Sequence, residues 1–337
     1  MTAGRTAARE CREYFRHVPG SDFLVWRGAS GMAREHPEGY AKYVPGIDGY
    51  NTFVVKVGTS VISHKHRDRT DYVMRCLAED LSALRSRSGK NVMLVTSGAC
   101  ALGRQERLKA GQKTGDIAYE KRKDAGVGQP ILMEMYRSHF GGRNQTVAQS
   151  LVTHMDLQDA RVSKGLLEMY KGLMHDGTIP IINEDDLRSP EEIEDECRLF
   201  RDNDGLSGLV ATSMHDGREY RVLFVMLTDQ RGIRPKSYFE RGRPDAVEEG
   251  VIRVVTDPEG LDSQAVDSKS GKGRGGALSK IMAFRETSMH GIYGVCANGL
   301  YCNFDAHYQR HGTGERLYRP FDAILEGRCI GTRFLPL

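Results

Sequence analysis

The chain has 337 residues, enough for one large α/β domain or two smaller ones. It is 39% hydrophobic and 28% charged with a formal net charge of +3, a composition that suits a soluble globular enzyme and gives no case for a nucleic-acid surface. No apolar stretch is long enough to span a bilayer. The seven cysteines (Cys11, Cys76, Cys100, Cys197, Cys296, Cys302 and Cys329) are odd in number and scattered, with no CxxC pair. That pattern points to free thiols in a reducing, cytoplasmic setting rather than a disulfide frame or a zinc site. The nearest approach to a metal cluster, His64-Lys65-His66, reads as a solvated loop, so no metal ligand set is expected from the protein itself.

Residues 1–50 form an N-terminal extension without a sustained period. Arg5, Arg9, Arg12 and Arg16 raise a mitochondrial presequence, but Glu10 and Glu13 argue against it, because transit peptides are poor in acids. Trp26, Tyr40 and Tyr43 predict that part of the extension packs on the domain or on a neighbouring subunit.

From residue 51 strands and helices alternate. Phe53-Val54-Val55-Lys56-Val57 is a short β-branched run of the kind that forms a buried parallel strand, followed by Gly58-Thr59-Ser60. Lys56 interrupts the run near its end, where a buried ammonium is costly unless it meets an anion. Gly58 lets the backbone approach a ligand, and the amides after it can point at phosphate oxygens. Val73, Leu77, Leu81 and Leu84 recur at helical spacing. A strand over 92–95 runs into Thr96-Ser97-Gly98-Ala99, a turn that opens a helix and favours an anionic ligand. A helix is predicted within 121–140, a strand over 146–152, a helix over 156–174, a strand over 178–182 running into Asn183-Glu184-Asp185-Asp186, and a strand over 222–227 ending in Thr228-Asp229. Strands separated by helices imply βαβ units and a mostly parallel sheet. Residues 231–243 read as a polar lid.

Several strands thus end in polar clusters: Lys56, Ser97, Asp186 and Thr228-Asp229. In open α/β sheets ligands bind at the carboxyl ends of strands, so the repetition marks an active-site edge. Asp202-Asn203-Asp204 opens an apolar helix, and one such residue would suffice as a cap. The glycine-rich loop 271–276 leads into a helix carrying Lys280, a cation that opposes the helix dipole unless it faces phosphate.

At this point the chain resembles the glutamate 5-kinase branch of the amino acid kinase superfamily. The resemblance runs from about 52 to 335, in VVKVGTSV (54–61), VTSGACALGR (95–104), VGQ (127–129), VAQSLVTHMDLQDAR (147–161), IPIINEDD (179–186), DNDGLS (202–207), LTDQRG (227–232), GGALSK (275–280) and IGTRFLP (330–336). It implies a three-layer α/β/α sandwich around a mostly parallel sheet, with the kinase domain over 51–337; the C-terminal PUA domain that many bacterial members carry is not expected here. By resemblance, Lys56 and Lys280 contact the transferring phosphoryl group and Asp204 holds both. Ser97, Asp186 and Asn203 bind L-glutamate. Lys56, Gly58, Thr228, Asp229, Arg274, Gly275, Gly276, Ser279 and Lys280 bind ATP, which carries Mg²⁺. The chain departs from the family's bacterial pattern at Asp185, Arg201, Arg274 and Ala277, where asparagine, glycine, threonine and methionine are usual.

The implied reaction is phosphorylation of the γ-carboxylate of glutamate, opening proline biosynthesis. L-Proline is the expected feedback inhibitor, a homo-oligomer the expected assembly, and a glutamyl phosphate reductase on a separate chain the expected next enzyme. No nucleic acid or membrane partner is expected. Two rival readings are a kinase of the same fold acting on another small acid and a non-catalytic ligand sensor.

Overall fold

A computed structural model of the chain describes residues 23–44, 49–63, 67–188, 202–235, 250–264, 276–301, 319–328 and 330–337. Among them, ten strands form one sheet: β1 (Phe23–Arg27), β2 (Met32–Glu35), β3 (Thr52–Val57), β4 (Asn91–Val95), β5 (Val147–Val152), β6 (Ile179–Glu184), β7 (Val222–Thr228), β8 (Ile252–Asp257), β9 (Tyr293–Asn298) and β10 (Thr332–Phe334). The described α-helices are α1 (Thr59–Ile62), α2 (Arg67–Ser88), α3 (Ala99–Lys109), α4 (Ala118–Gly141), α5 (His154–Gln158), α6 (Ala160–His175), α7 (Asn203–Met214), α8 (Ala277–Met289) and α9 (Pro320–Leu325).

The strand order is β2-β1-β8-β10-β9-β7-β3-β4-β6-β5. The run β9-β7-β3-β4-β6-β5 is parallel throughout, so all six carboxyl ends share one edge of the sheet. Strand β10 is antiparallel to β9, and β8 and β1 follow the direction of β10.

Every residue of β3 is buried, because helices cover both faces. Phe53, Val55 and Val57 face Leu77, Leu81 and Leu84 of α2 and Leu132, Tyr136 and Phe140 of α4. Val54 shares the opposite core with Tyr170 and Met174 of α6, Leu206 and Val210 of α7, and Ile281 and Phe284 of α8. The period-2 alternation of a strand therefore aims Lys56, two residues after Val54, at the face bearing α7 and α8.

Two predicted features come out differently. The helix expected over 156–174 is two helices. The Thr153 side chain and Asp156 form a capping box on α5, and Asp159 then leaves the helical region to cap α6 through the amides of Arg161 and Val162. The N-terminal extension contributes sheet. Strands β1 and β2 pair antiparallel across Gly28 and Gly31, both at positive φ, and β1 lies parallel to β8. Such short strands leave no period to read. No helix among the described residues is long and apolar enough to cross a membrane. Cys76 and Cys296 are free thiols. Most of the lid read over 231–243 lies outside the described residues.

Candidate active site at the carboxyl edge of the sheet

The six parallel strands set out the site in order. Asn298 ends β9 and Thr228 ends β7. Val57 ends β3 and is followed by Gly58. Ser97 follows β4, Asp185 and Asp186 follow β6, and His154 follows β5. Lys56 stands at the centre of this row.

Lys56 is 5% exposed, so its charge has to be met within the protein. Its Nζ lies 2.5 Å from Oδ1 of Asp204, and the Nζ of Lys280 lies 3.1 Å from Oδ2. Ser279 Oγ donates to the same Oδ2 at 2.8 Å, and Lys280 Nζ also donates to the Gly276 carbonyl at 3.3 Å. The Asp202-Asn203-Asp204 run divides its tasks. Asp202 is the cap of α7, its Oδ1 accepting from the amides of Asp204 at 3.1 Å and Gly205 at 2.9 Å. Asp204 is thereby released to bind both lysines. Asn203 is left with a buried Oδ1 that has no hydrogen-bond partner.

Burial alone would raise the Asp204 pKa, but the Lys56 and Lys280 ammoniums outweigh it and hold the carboxyl well below the ordinary range. Burial also works against the charge on Lys280, and the Asp204 carboxylate more than restores it, raising its pKa. Asp202 is shifted the other way, upward, first by burial and then by the neighbouring Asp204 charge. Two ammoniums bond one carboxylate at a nearly dry position, with the Asp202 carboxyl near enough to interact with both. The amino ends of α7 and α8 converge on the same point and add their dipoles. Gly276 caps α8, and the amides of a helix's first turn have no partner within the helix. The arrangement is built to receive an anion. Gly58 adds access: its backbone is extended, and a Cβ there would lie 3.7 Å from Lys56 Nζ, on the approach to that ammonium.

On the β7 side, Thr228 and Asp229 form a turn held by β9. Asn298 Nδ2 donates to the Asp229 carbonyl at 3.0 Å, and the Gly299 amide donates to the Thr228 carbonyl at 2.8 Å. On the β4 and β6 side, Ser97 is buried, Asp186 is half-buried, and Asn183 Nδ2 donates to Gln129 Oε1 at 2.8 Å. The structure thus joins Lys56, Lys280, Asp204, Ser279 and Gly276 in one hydrogen-bonded cluster. Ser97, Asp186, Thr228 and Asp229 stand on the flanking strand ends, and Asn203 lies beside the cluster on α7. Arg274 and Gly275 lie outside the described residues. Asn298, Gln129, Asn183 and Asp202 were not singled out from the sequence as site residues. The short apolar run Tyr293–Ala297 ending in Asn298 is the signal that could have revealed β9 and its terminal amide.

The sequence pattern of the amino acid kinase family matches residues 51–298, and the chain belongs to that family. Within it, the chain is 35% identical over 246 residues to a glutamate 5-kinase of Cupriavidus metallidurans, an alignment covering 73% of this chain and 62% of that protein. It is 32% identical over 285 residues to a glutamate 5-kinase of Prochlorococcus marinus, covering 84% of this chain and 70% of that one. The chain thus spans about three-fifths of the length of the first of these relatives. The fold is similar to that of a Giardia carbamate kinase, with a TM-score of 0.51 at 13% identity over 86% of this chain and 99% of that one.

Proposed function

We propose that the chain transfers the γ-phosphoryl group of ATP to the γ-carboxylate of L-glutamate, yielding ADP and γ-glutamyl phosphate. The observation that carries this is the buried Lys56–Asp204–Lys280 triad, flanked by one turn suited to a nucleotide and one acidic turn suited to an amino acid. The similarity to glutamate 5-kinases of other organisms supports the choice of acid.

The chemistry follows from charge. The γ-carboxylate has an unperturbed pKa of about 4.3, so it is ionised at neutral pH and needs no general base. One of its oxygens bonds to Pγ while the bond from Pγ to the ADP oxygen breaks, the electron pair leaving on ADP. The obstacle is bringing one anion onto another. A loose phosphoryl-transfer transition state spreads charge over its oxygens, and catalysis is mainly positioning and electrostatics. In our reading Lys56 and Lys280 bind those oxygens from opposite sides of Asp204, which fixes their spacing. At an effective dielectric near 20, a unit charge about 4 Å from another is worth roughly 4 kcal/mol, so each lysine matters by orders of magnitude. Thr228, Asp229, Gly58, Gly276 and Ser279 would hold the nucleotide, together with Arg274 and Gly275. Ser97, Asp186 and Asn203 would hold glutamate, with Asp186 opposite its α-ammonium.

Mg²⁺ would arrive on the nucleotide phosphates, where it neutralises charge as they react; no group of three or more metal-binding side chains comes together among the described residues to hold it alone. We further read L-proline as a competitor of glutamate, because it presents the same α-carboxylate and a cationic amine but no γ-carboxylate. A reductase on a separate chain would consume the reactive acyl phosphate, and the kinase itself would assemble from copies of this chain.

The test is ADP release by the purified protein with glutamate, aspartate, acetylglutamate, carbamate and UMP offered separately, with hydroxylamine present to trap an acyl phosphate as hydroxamate. Glutamate should be preferred and should yield hydroxamate. Turnover with another acid alone would reassign the substrate, and no turnover with any would favour a sensor.

A further inference from the structure

The matched family region is 51–298, yet the fold extends beyond it at both ends, and the two outlying parts are bonded to each other. Arg333 of β10 is fully buried. Its Nε donates to Tyr40 Oη at 2.6 Å, its Nη1 to Tyr293 Oη at 3.0 Å and its Nη2 to the Arg328 carbonyl at 2.8 Å. Tyr293 Oη in turn donates to the Tyr43 carbonyl at 3.0 Å. The guanidinium carbon lies 5.8 Å from the Tyr40 ring centre and 6.0 Å from that of Tyr293, within range of cation–π attraction. Tyr40 and Tyr43 come from the N-terminal segment, and with Val25 and Val254 they make a separate small core.

The neighbour of Arg333 faces the other way. Thr332 Oγ1 accepts from the Ile233 amide at 2.8 Å and donates to the Ile252 carbonyl at 2.6 Å. The Ile252 amide donates to the Ile233 carbonyl at 2.9 Å. Gly232 sits at a φ of 145°, where a Cβ would come 2.7 Å from Thr332 Oγ1. Residues 232–233 are therefore clasped directly onto β10 and β8, and they continue the Thr228–Asp229 turn. That turn is fixed at its start by Asn298 at the end of β9 and by Gly299 after it, and at its end by Thr332 of β10.

We propose that the N-terminal segment is a positioning element for the nucleotide end of the site. Tyr40 is the positioning residue, acting through Arg333 and Thr332 on the 228–233 turn. The inference rests on the reading of Thr228 and Asp229 as nucleotide contacts. Its physical basis is that β10 is three residues long, so few ladder bonds of its own hold it in place. The buried Arg333, tied to Tyr40, Tyr293 and the Arg328 carbonyl, pins β10, and Thr332 passes that register to the turn.

The test compares full-length wild type, Tyr40→Phe and Tyr43→Phe by calorimetric titration with Mg-ADP and by the KM for ATP and for glutamate. Tyr43→Phe removes a 2.6 Å bond from Tyr43 Oη to Glu35 within the same segment and leaves the bonds of Arg333 in place. Tyr40→Phe should weaken Mg-ADP about 3- to 10-fold and raise the KM for ATP alike, with the KM for glutamate within about 2-fold, the scale expected of a residue coupled to a site it does not touch. Tyr43→Phe should leave all three within that margin. Should Tyr40→Phe fail to fold, Thr332→Val reads the same path from its other end and should reproduce the loss. Unchanged Mg-ADP affinity in the Tyr40 or Thr332 variant overturns the inference and leaves the nucleotide reading standing. An equal loss in Tyr43→Phe overturns it too, since the segment would then act only through stability. Wild type that binds no Mg-ADP overturns the nucleotide reading and the inference together.

Discussion

Lys56 and Asp204 meet at 2.5 Å although one ends a strand and the other begins a helix on the far side of the βα succession. Each meets the other's buried charge, and Asp204 keeps Lys280 and Ser279 as further partners. The lysine lies in a strand with no exposed residue, and the acid is 1% exposed. The pair leaves Oδ2 for Lys280, so one carboxylate sets the separation of two cations. Pre-set charges of this kind lower a barrier without reorganising as the reaction proceeds.

Removing either cation should cost rate rather than fold. Lys56→Met and Lys280→Met should each lower kcat by roughly 10²-fold or more, as for loss of an oriented charge at a transition state. Asp204→Asn should lower kcat as well, because both ammoniums lose their anchor. Near-normal kcat in either lysine variant would assign that lysine to structure alone, and a rise in KM for ATP with unchanged kcat would contradict the role of Asp204.

Asp186 should govern the acid substrate selectively. Asp186→Ala should raise the KM for glutamate much more than that for ATP, by leaving the α-ammonium unpaired. L-Proline should raise the apparent KM for glutamate without lowering kcat, and Asp186→Ala should weaken both ligands together. Proline that depressed kcat at constant KM would point to a separate site.

Asp80 on α2 should make stability depend on pH. Burial pushes its pKa up to about 6, despite Arg319, whose Nη1 donates to Oδ1 at 2.7 Å. Its unfolded value is about 3.9. A folded pKa above the unfolded one contributes stability that is fully present below about pH 3.9 and lost as pH rises through about 6. Melting curves of wild type and Asp80→Asn should therefore converge near pH 4 and separate above pH 6, on the folded pKa of about 6, with the variant the more stable. Separation in favour of the wild type would mean that the Arg319 ion pair outweighs burial.

Two glycines should respond oppositely to alanine. A Cβ at Gly128 of α4 would overlap the Ala99 carbonyl of α3 and lie 2.5 Å from the Gly103 backbone nitrogen, so the helices cross in backbone contact. Gly128→Ala should cost about 1–3 kcal/mol, and it should lower kcat because α3 begins directly after Ser97 and Gly98. Gly165 of α6 is exposed, with nothing within 4 Å of its Cβ position. Gly165→Ala should raise stability by roughly 0.5–1 kcal/mol through helix propensity. Equal losses in the two variants would mean that backbone crowding is not the cause.

The chemical groups of the site and the strand ends that carry them are legible in the residue order. The run Phe53–Val57 reads as a buried strand because helices on both faces demand apolar residues at every position, and the one lysine in it stands out for the same reason. Three polar residues at 202–204 exceeded the needs of a cap, and the structure divides them accordingly, Asp202 to the cap and Asp204 to the lysines. Which groups pair is settled by the folded chain. That Lys280 reaches Asp204, that Ser279 donates to it, and that Tyr40 from the first fifty residues holds Arg333 near the end are contacts between distant segments. Local propensity carries no record of such contacts. Strands β1, β8, β9 and β10 escaped the sequence for a related reason: β1 and β10 have only five and three residues, and Arg253, Gly294 and Arg333 interrupt the apolar runs of β8, β9 and β10. Those residues are accommodated by partners elsewhere in the chain, the Gly331 carbonyl, the Phe284 ring and the Tyr40 hydroxyl, which exist as partners only once the sheet has formed.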